Sequence, residues 1–218
     1  MIWMMLLAGL AAQDDPAAGA RAEAEALIAA AGARGVFENV TDGTTPAVRP
    51  AASGLICHFT PGEASNRLYI HEDGSGRVIE SVGCATRAQG MDVHVQAARG
   101  APSSSAGDAL NDQIGVISAQ WPQARRYDGG FPILTPPTQD VPPLHAVFTA
   151  EDEGQPVVIF ALVQHQGAWS YRFRGQAWTE DLVRAGMLGG MMFMNALAAI
   201  EPGGCDDLSC REPDNRLQ

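Results

Sequence analysis

The chain contains no lysine: all fourteen of its basic residues are arginine. That absence removes every mechanism built on an amine, including the phosphate-anchoring lysine of a P-loop or kinase, a Schiff base with pyridoxal phosphate or a carbonyl substrate, and the Ser/Lys dyad. Positive charge is scarce in general. Twenty-five acidic residues stand against those fourteen arginines, for a net charge of -11, so the surface repels nucleic acid and anionic lipid and a general nucleic-acid binder is excluded. The four cysteines form no C-x-x-C redox pair, and no Cys/His spacing closes around zinc. No G-x-S-x-G elbow exists: Gly74-Ser75-Gly76 is turn chemistry and Ser103-Ser104-Ser105 leads into a helix cap. Asp73-Gly74-Ser75-Gly76 lacks the spaced carboxylates of a calcium loop. The five histidines, at 58, 71, 94, 145 and 165, stand in no H-x-H or H-E-x-x-H arrangement. With no nucleophile, metal or cofactor motif, no cofactor and no metal are expected.

What the chain does have begins with an apolar run. Residues 2–12 (IWMMLLAGLAA) lead directly into Gln13-Asp14-Asp15-Pro16. The run is too short for a bilayer, which takes roughly 20 residues, but has the length of the hydrophobic part of a secretory signal. Small residues at Gly9 and Ala11 suit cleavage after Ala11 or Ala12, so residues 1–12 are read as a signal peptide and the protein as periplasmic or secreted. No basic residue precedes Arg21, whereas such signals normally begin with Lys or Arg; a start further upstream or a buried N-terminal segment are the alternative readings, and no Cys directly follows the run, so a bacterial lipid anchor is not indicated. An even set of cysteines, Cys57, Cys84, Cys205 and Cys210, agrees with an oxidising compartment. Of the three connectivities, Cys57 with Cys84 and Cys205 with Cys210 is preferred because each pair is close in sequence; free thiols are the alternative.

The pattern of elements is helix, four strands, helix, three strands, helix. Residues 17–33 read as a helix, capped by the acidic residues before Pro16 and ended by Gly35. A Gly/Thr/Pro-rich connector, 39–53, leads to strands at 54–59 (GLICHF), 67–72, 78–87 and 91–97, where Met91, Val93 and Val95 alternate with Asp92, His94 and Gln96. Ser105 with Asp108 forms an approximate capping box for a helix that stops at Pro122. The segment 123–143 holds five prolines and reads as a long surface loop, a candidate lid or rim. Strands follow at 144–149, 156–165 and 168–178, the middle one apolar on both faces and hence central. Thr179 caps a last helix running to about Ile200. Short turns between strands make the fold class α+β: a mainly antiparallel sheet of about seven strands flanked by three helices, one globular domain over 13–204, and a polar tail at 205–218.

That order, with the final hairpin PVVIFALVQHQGAWSYRFRG feeding a C-terminal helix, faintly resembles the fold shared by the photosystem accessory protein PsbP and its bacterial periplasmic relatives. The resemblance rests on the order of elements over roughly the C-terminal two-thirds and on no residue motif. It implies a non-catalytic accessory or binding role.

A disulfide between Cys57 and Cys84 sets a constraint on the sheet. Bridged Cα atoms lie about 4.4–6.8 Å apart, whereas strands separated by an intervening strand are roughly 10 Å apart. If the bond exists, 54–59 and 78–87 are not the first and third strands of a flat meander, and the two Cys segments are expected to be direct neighbours.

Among candidate functional residues, Arg172 and Arg174 project from one strand face and Arg125-Arg126 lies in the long loop. Converging, the four would bind a carboxylate, sulfate or phosphate through bidentate hydrogen bonds; otherwise they are solvent-facing arginines paired with nearby acids. His94 with Asp92 is the best acid/base pair, against a reading in which both are simply solvated. Met187, Met191 and Met194 form a helical stripe, read as flexible core filling in preference to a copper(I) site, and Gly186 and Gly190 are read as letting a core helix lie close to the sheet. The apolar stretch 185–200 is short for a membrane span and no stable span is expected. These features point to an exported binding or envelope-accessory module whose partner is an envelope protein or a small anionic ligand. The alternative is a small exported hydrolase using dispersed carboxylates or His94, with a cleft near 123–143.

Overall fold

The computed structural model describes residues 15–72, 79–99, 105–134 and 142–200. The proposed signal, the Cys205–Cys210 pair and the polar tail lie outside the described residues. The elements are α1 (Pro16–Ala30), β1 (Phe37–Asn39), β2 (Ala47–Pro50), β3 (Cys57–His58), β4 (Arg67–Glu72), β5 (Ile79–Ala88) and β6 (Met91–Arg99). After them come α2 (Ala106–Gln120), β7 (Arg125–Arg126), β8 (Leu144–Asp152), β9 (Gln155–Gln166), β10 (Trp169–Ala177) and α3 (Leu182–Ala196).

Local chemistry explains the helix ends. The Asp15 carboxylate accepts from the Ala17 N–H at 3.1 Å, with Pro16 in the first turn. α1 stops earlier than its composition suggests, because Gly32, at φ 63°, takes the left-handed position and so preempts Gly35. α2 carries a full capping box: Ser105 Oγ accepts from the Asp108 N–H at 3.1 Å, and Asp108 accepts from the Ser105 N–H at 2.9 Å. In α3 the cap is Asp181, not Thr179. The Thr179 hydroxyl accepts from the Asp181 N–H at 3.0 Å, and the Asp181 carboxylate accepts from the Arg184 N–H at 2.9 Å, so two short polar side chains in series shift the start.

The fold is α+β, as the pattern of turns implies. Seven antiparallel strands run in the order β4-β5-β6-β10-β9-β8-β7, and a second, three-stranded sheet runs β1-β2-β3. Four short strands depart from the sequence reading: β1 falls between the expected helix and the connector, where no strand was read. β2 falls inside the presumed connector, β7 inside the presumed loop, and the GLICHF segment contributes only Cys57 and His58, paired with β2 and not with the large sheet. Strands of two to four residues are too brief for alternation to register. Tight hairpins join β5 to β6 through Gln89-Gly90 and β8 to β9 through Glu153-Gly154, with positive φ at both central residues of each. β9 is buried on both faces from Val157 to Val163, as its unbroken apolar run requires.

α2 packs across β8, β9 and β10 on one face of the large sheet, over Phe148, Val157 and Ile159. The opposite face carries the main core and is covered by α3, α1 and the small sheet. Cys57 and Cys84, both buried, are bonded across these layers with a Cα–Cα distance of 6.1 Å. The two Cys segments are therefore neither the first and third strands of a flat meander nor, as expected from the bond, neighbouring strands: they belong to different sheets. Cys84 pairs in the sheet with Leu68 of β4, while Cys57 reaches it from the layer above, closer than the ~10 Å of ordinary stacked sheets.

α3 lies close to the sheet through Gly189. Phe160, fully buried, points its ring at both Gly175 of β10 and Gly189, where a Cβ would collide with it, and it stacks on Phe173 at 5.8 Å. Gly186 and Gly190 serve a different contact, admitting Pro132 and Leu134 of the segment after β7. That segment, with Phe131 and Ile133 packed on the core, is a strap under α3 over its described part. The methionine stripe also departs from expectation: Met187 and Met191 are 46% and 44% exposed, on the outer face of α3. α3 has 15 residues, and among the described residues no helix is long and apolar enough to cross a membrane.

Breaking the disulfide releases a 27-residue separation in the unfolded chain and is expected to cost about 3 kcal/mol, read as a lower urea midpoint for Cys57→Ser/Cys84→Ser or for reduced protein. Gly189→Ala is expected to destabilise by about 1–3 kcal/mol in the same assay, because overpacking Phe160 outweighs the better helix propensity of alanine.

Candidate functional site

α2 covers β8 to β10 and leaves the β4-β5-β6 side of that face without a helix over it among the described residues. Strand alternation puts Arg67, Tyr69 and His71 of β4 there, with Ala85 and Arg87 of β5, Asp92, His94 and Gln96 of β6, and Arg172, Arg174 and Gln176 of β10. Registered pairing turns these into transverse rows. One runs Arg67, Ala85, His94, Arg174, and the next runs Tyr69, Gly83, Gln96, Arg172.

The first row is the centre of the candidate site. Its two arginine strands are three spacings apart, about 14 Å, with only the small side chain of Ala85 and the imidazole of His94 between them. The floor beside it is closed by Tyr69, whose ring approaches Gly83 so closely that a Cβ there would sit 2.6 Å from it and would also meet the Val95 carbonyl. The Tyr69 hydroxyl donates to the Val95 carbonyl at 3.0 Å, and burial pushes its pKa up to about 12, so it stays protonated. His94 is half-buried, and its pKa falls to about 4, chiefly through desolvation, then through the positive charges of Arg174 and Arg67, with Asp92 opposing. Both arginines thus act on one neutral imidazole. Arg174 is itself half-buried, and desolvation lowers its pKa. Among the described residues no carboxylate pairs with its guanidinium and no hydrogen bond engages it.

Elsewhere on this face the charges are matched. Asp92 shares the face with His94, as alternation requires, but accepts a bidentate pair from Arg87 at 2.6 and 3.1 Å, while Arg87 also lies 5.1 Å from the Trp178 ring centroid. Arg172 reaches Asp112 of α2 at 3.3 Å and Ser170 at 3.4 Å. Arg125 and Arg126 stand in the edge strand β7, separated from β10 by β8 and β9, and Arg126 pairs with Asp128 at 3.5 Å. The four arginines proposed from sequence therefore do not converge: the register places Arg174 with Arg67, not with Arg125 and Arg126. Arg67 and Tyr69 lay within a strand read from sequence, but that Arg67 shares a row with His94 and Arg174 depends on the registers of β4, β5, β6 and β10. Among the described residues no three His, Cys, Asp or Glu side chains gather as a metal site.

No family model and no curated protein matches the chain. Among solved structures, LpqN, involved in cell envelope biogenesis of Mycobacterium tuberculosis, is similar at a TM-score of 0.30 and 8% sequence identity, over 66% of this chain and 86% of its own. At that level the likeness carries no argument about fold or function.

The lowered pKa of His94 gives a pH signature. The folded state favours the neutral imidazole, so its contribution to stability is complete above the ordinary value of 6.5 and is lost as pH falls through about 4. His58, His145 and His165, also lowered, act with the same sign. The urea midpoint is expected to drop between about pH 6.5 and 4, and less so in His94→Gln; NMR titration of His94 is expected to show a midpoint near 4.

Proposed function

We propose that this protein is a non-catalytic binding module, exported to the cell envelope, that holds a carboxylate, sulfate or phosphate group on the open sheet face between Arg174 and Arg67. The observation that carries the reading is Arg174, a half-buried and permanently charged guanidinium left without an anion among the described residues. A partly desolvated, unpaired charge is costly, and an incoming anion with bidentate geometry offsets that cost. The neutral His94 beside it can donate one N–H to the same group. Export is supported by the apolar run at 2–12 and by the buried Cys57–Cys84 disulfide, which suits an oxidising compartment.

The test is calorimetric titration of the full chain with inorganic phosphate, sulfate and acetate at low ionic strength. Arg174→Gln is expected to weaken binding at least tenfold, and Arg126→Gln, at the distant edge strand, to leave it within twofold. In the complex, the NMR midpoint of His94 is expected to rise above its value near 4, because the bound anion favours the imidazolium. Equal affinity in the Arg174→Gln variant disproves the reading, and turnover of an ester, peptide or glycan panel by the purified chain overturns its non-catalytic part.

A further inference from the structure

The reverse side of the same strands holds a second candidate site of opposite chemistry. Between the small sheet, the large sheet and the end of α3 lies a cavity of about 360 Å³, within the size range of small-ligand pockets. Its floor is formed by the disulfide at Cys84 and by Val93 and Val95, whose neighbour His94 faces the other way; Ile56 and Met192 contribute further apolar surface. At ~30 Å³ per non-hydrogen atom in a liquid, this space takes about twelve such atoms.

The cavity adjoins a second depression, of about 490 Å³, and His58 and Asn195 line both. Asp42 lies in that depression and acts electrostatically on His58. Among the described residues its carboxylate is the only formally charged side chain lining either space, and no arginine lines them. Desolvation lowers the pKa of His58, so the imidazole is neutral at physiological pH and offers an acceptor without repelling a cation. An apolar space that ends in a carboxylate, a neutral imidazole and a primary amide favours one kind of occupant.

We propose that this interlayer cavity is a binding site for an amine-headed amphiphile, with a chain of about ten carbons over Val93, Val95 and the disulfide and its ammonium group toward His58, Asn195 and Asp42. An anionic amphiphile of equal length is disfavoured, because its head would face Asp42 with no counter-charge. The site is independent of the anion site, which lies on the other face of β6.

The experiment is calorimetric titration of the full chain, oxidised and at neutral pH, with decylammonium, 1-decanol and decanoate below their aggregation concentrations. Decylammonium is expected to bind one-to-one, with decanoate at least tenfold weaker and 1-decanol between them. Asp42→Asn is expected to remove most of the preference for decylammonium over decanoate while retaining 1-decanol. Ala88→Phe, at a half-exposed lining position, is expected to reduce uptake of all three at least tenfold with an unchanged melting temperature; Thr45→Trp serves if that variant does not fold. Decanoate binding as tightly as decylammonium overturns the proposal. So does the absence of uptake, or multivalent decylammonium binding that neither filling variant alters, which would mark adsorption to an acidic surface.

Discussion

The pairing of β6 with β10 is the constraint on which the rest of the molecule depends. Nine residue pairs, from Trp169 with Arg99 to Ala177 with Met91, join the β4-β5-β6 meander to the β7-to-β10 half of the sheet. Because side chains alternate across a strand, this one register sets both faces. It aligns Phe173 with Val95 in the core and Arg174 with His94 on the open side. A slip by one residue would bury Arg172 and Arg174 under α3 and expose Tyr171 and Phe173. That cost makes the register unambiguous and gives the polar row a fixed geometry.

Two features hold the layers on the inner face. Phe160, Phe173 and Phe193 form a run of ring contacts at 5.8 Å between sheet and α3, and the absence of a side chain at Gly189 brings the helix close enough to join it. The disulfide does the same for the small sheet, tying a layer of very short strands to the centre of β5. The small sheet is thereby anchored at Cys57 while a cavity remains beside the bond. The layers are tight at Gly189 and open near His58, and this unevenness is what creates space for a ligand.

Charge is distributed in the same uneven way. On a chain of net charge -11, most arginines on the outer face find acids nearby: Arg87 with Asp92, Arg172 with Asp112 and Arg126 with Asp128. Exposed pairs of this kind contribute little to stability. They leave Arg174 distinct as a half-buried guanidinium that, among the described residues, has no carboxylate partner. Across β6 the polarity inverts, with Asp42 the charge beside the apolar space.

Local chemistry was readable in the chain itself. The capping box at Ser105, the presence of short turns between successive strands, the doubly buried β9 and the alternation of β6 all follow from residue type and spacing, because each depends on neighbours within a few positions. The Cys57–Cys84 bond follows from proximity in sequence, which favours closure. β1, β2, β3 and β7 were illegible or misassigned because two to four residues carry no period. By itself, then, the sequence determined the α+β class, the long elements and which side chains share a strand face. Only the tertiary structure decided that Arg174 pairs with His94 in one row with Arg67, away from Arg125 and Arg126, and that Cys57 sits above the large sheet rather than in it. Those outcomes depend on strand order and layer stacking, which are set by the burial of the whole core and by no local pattern.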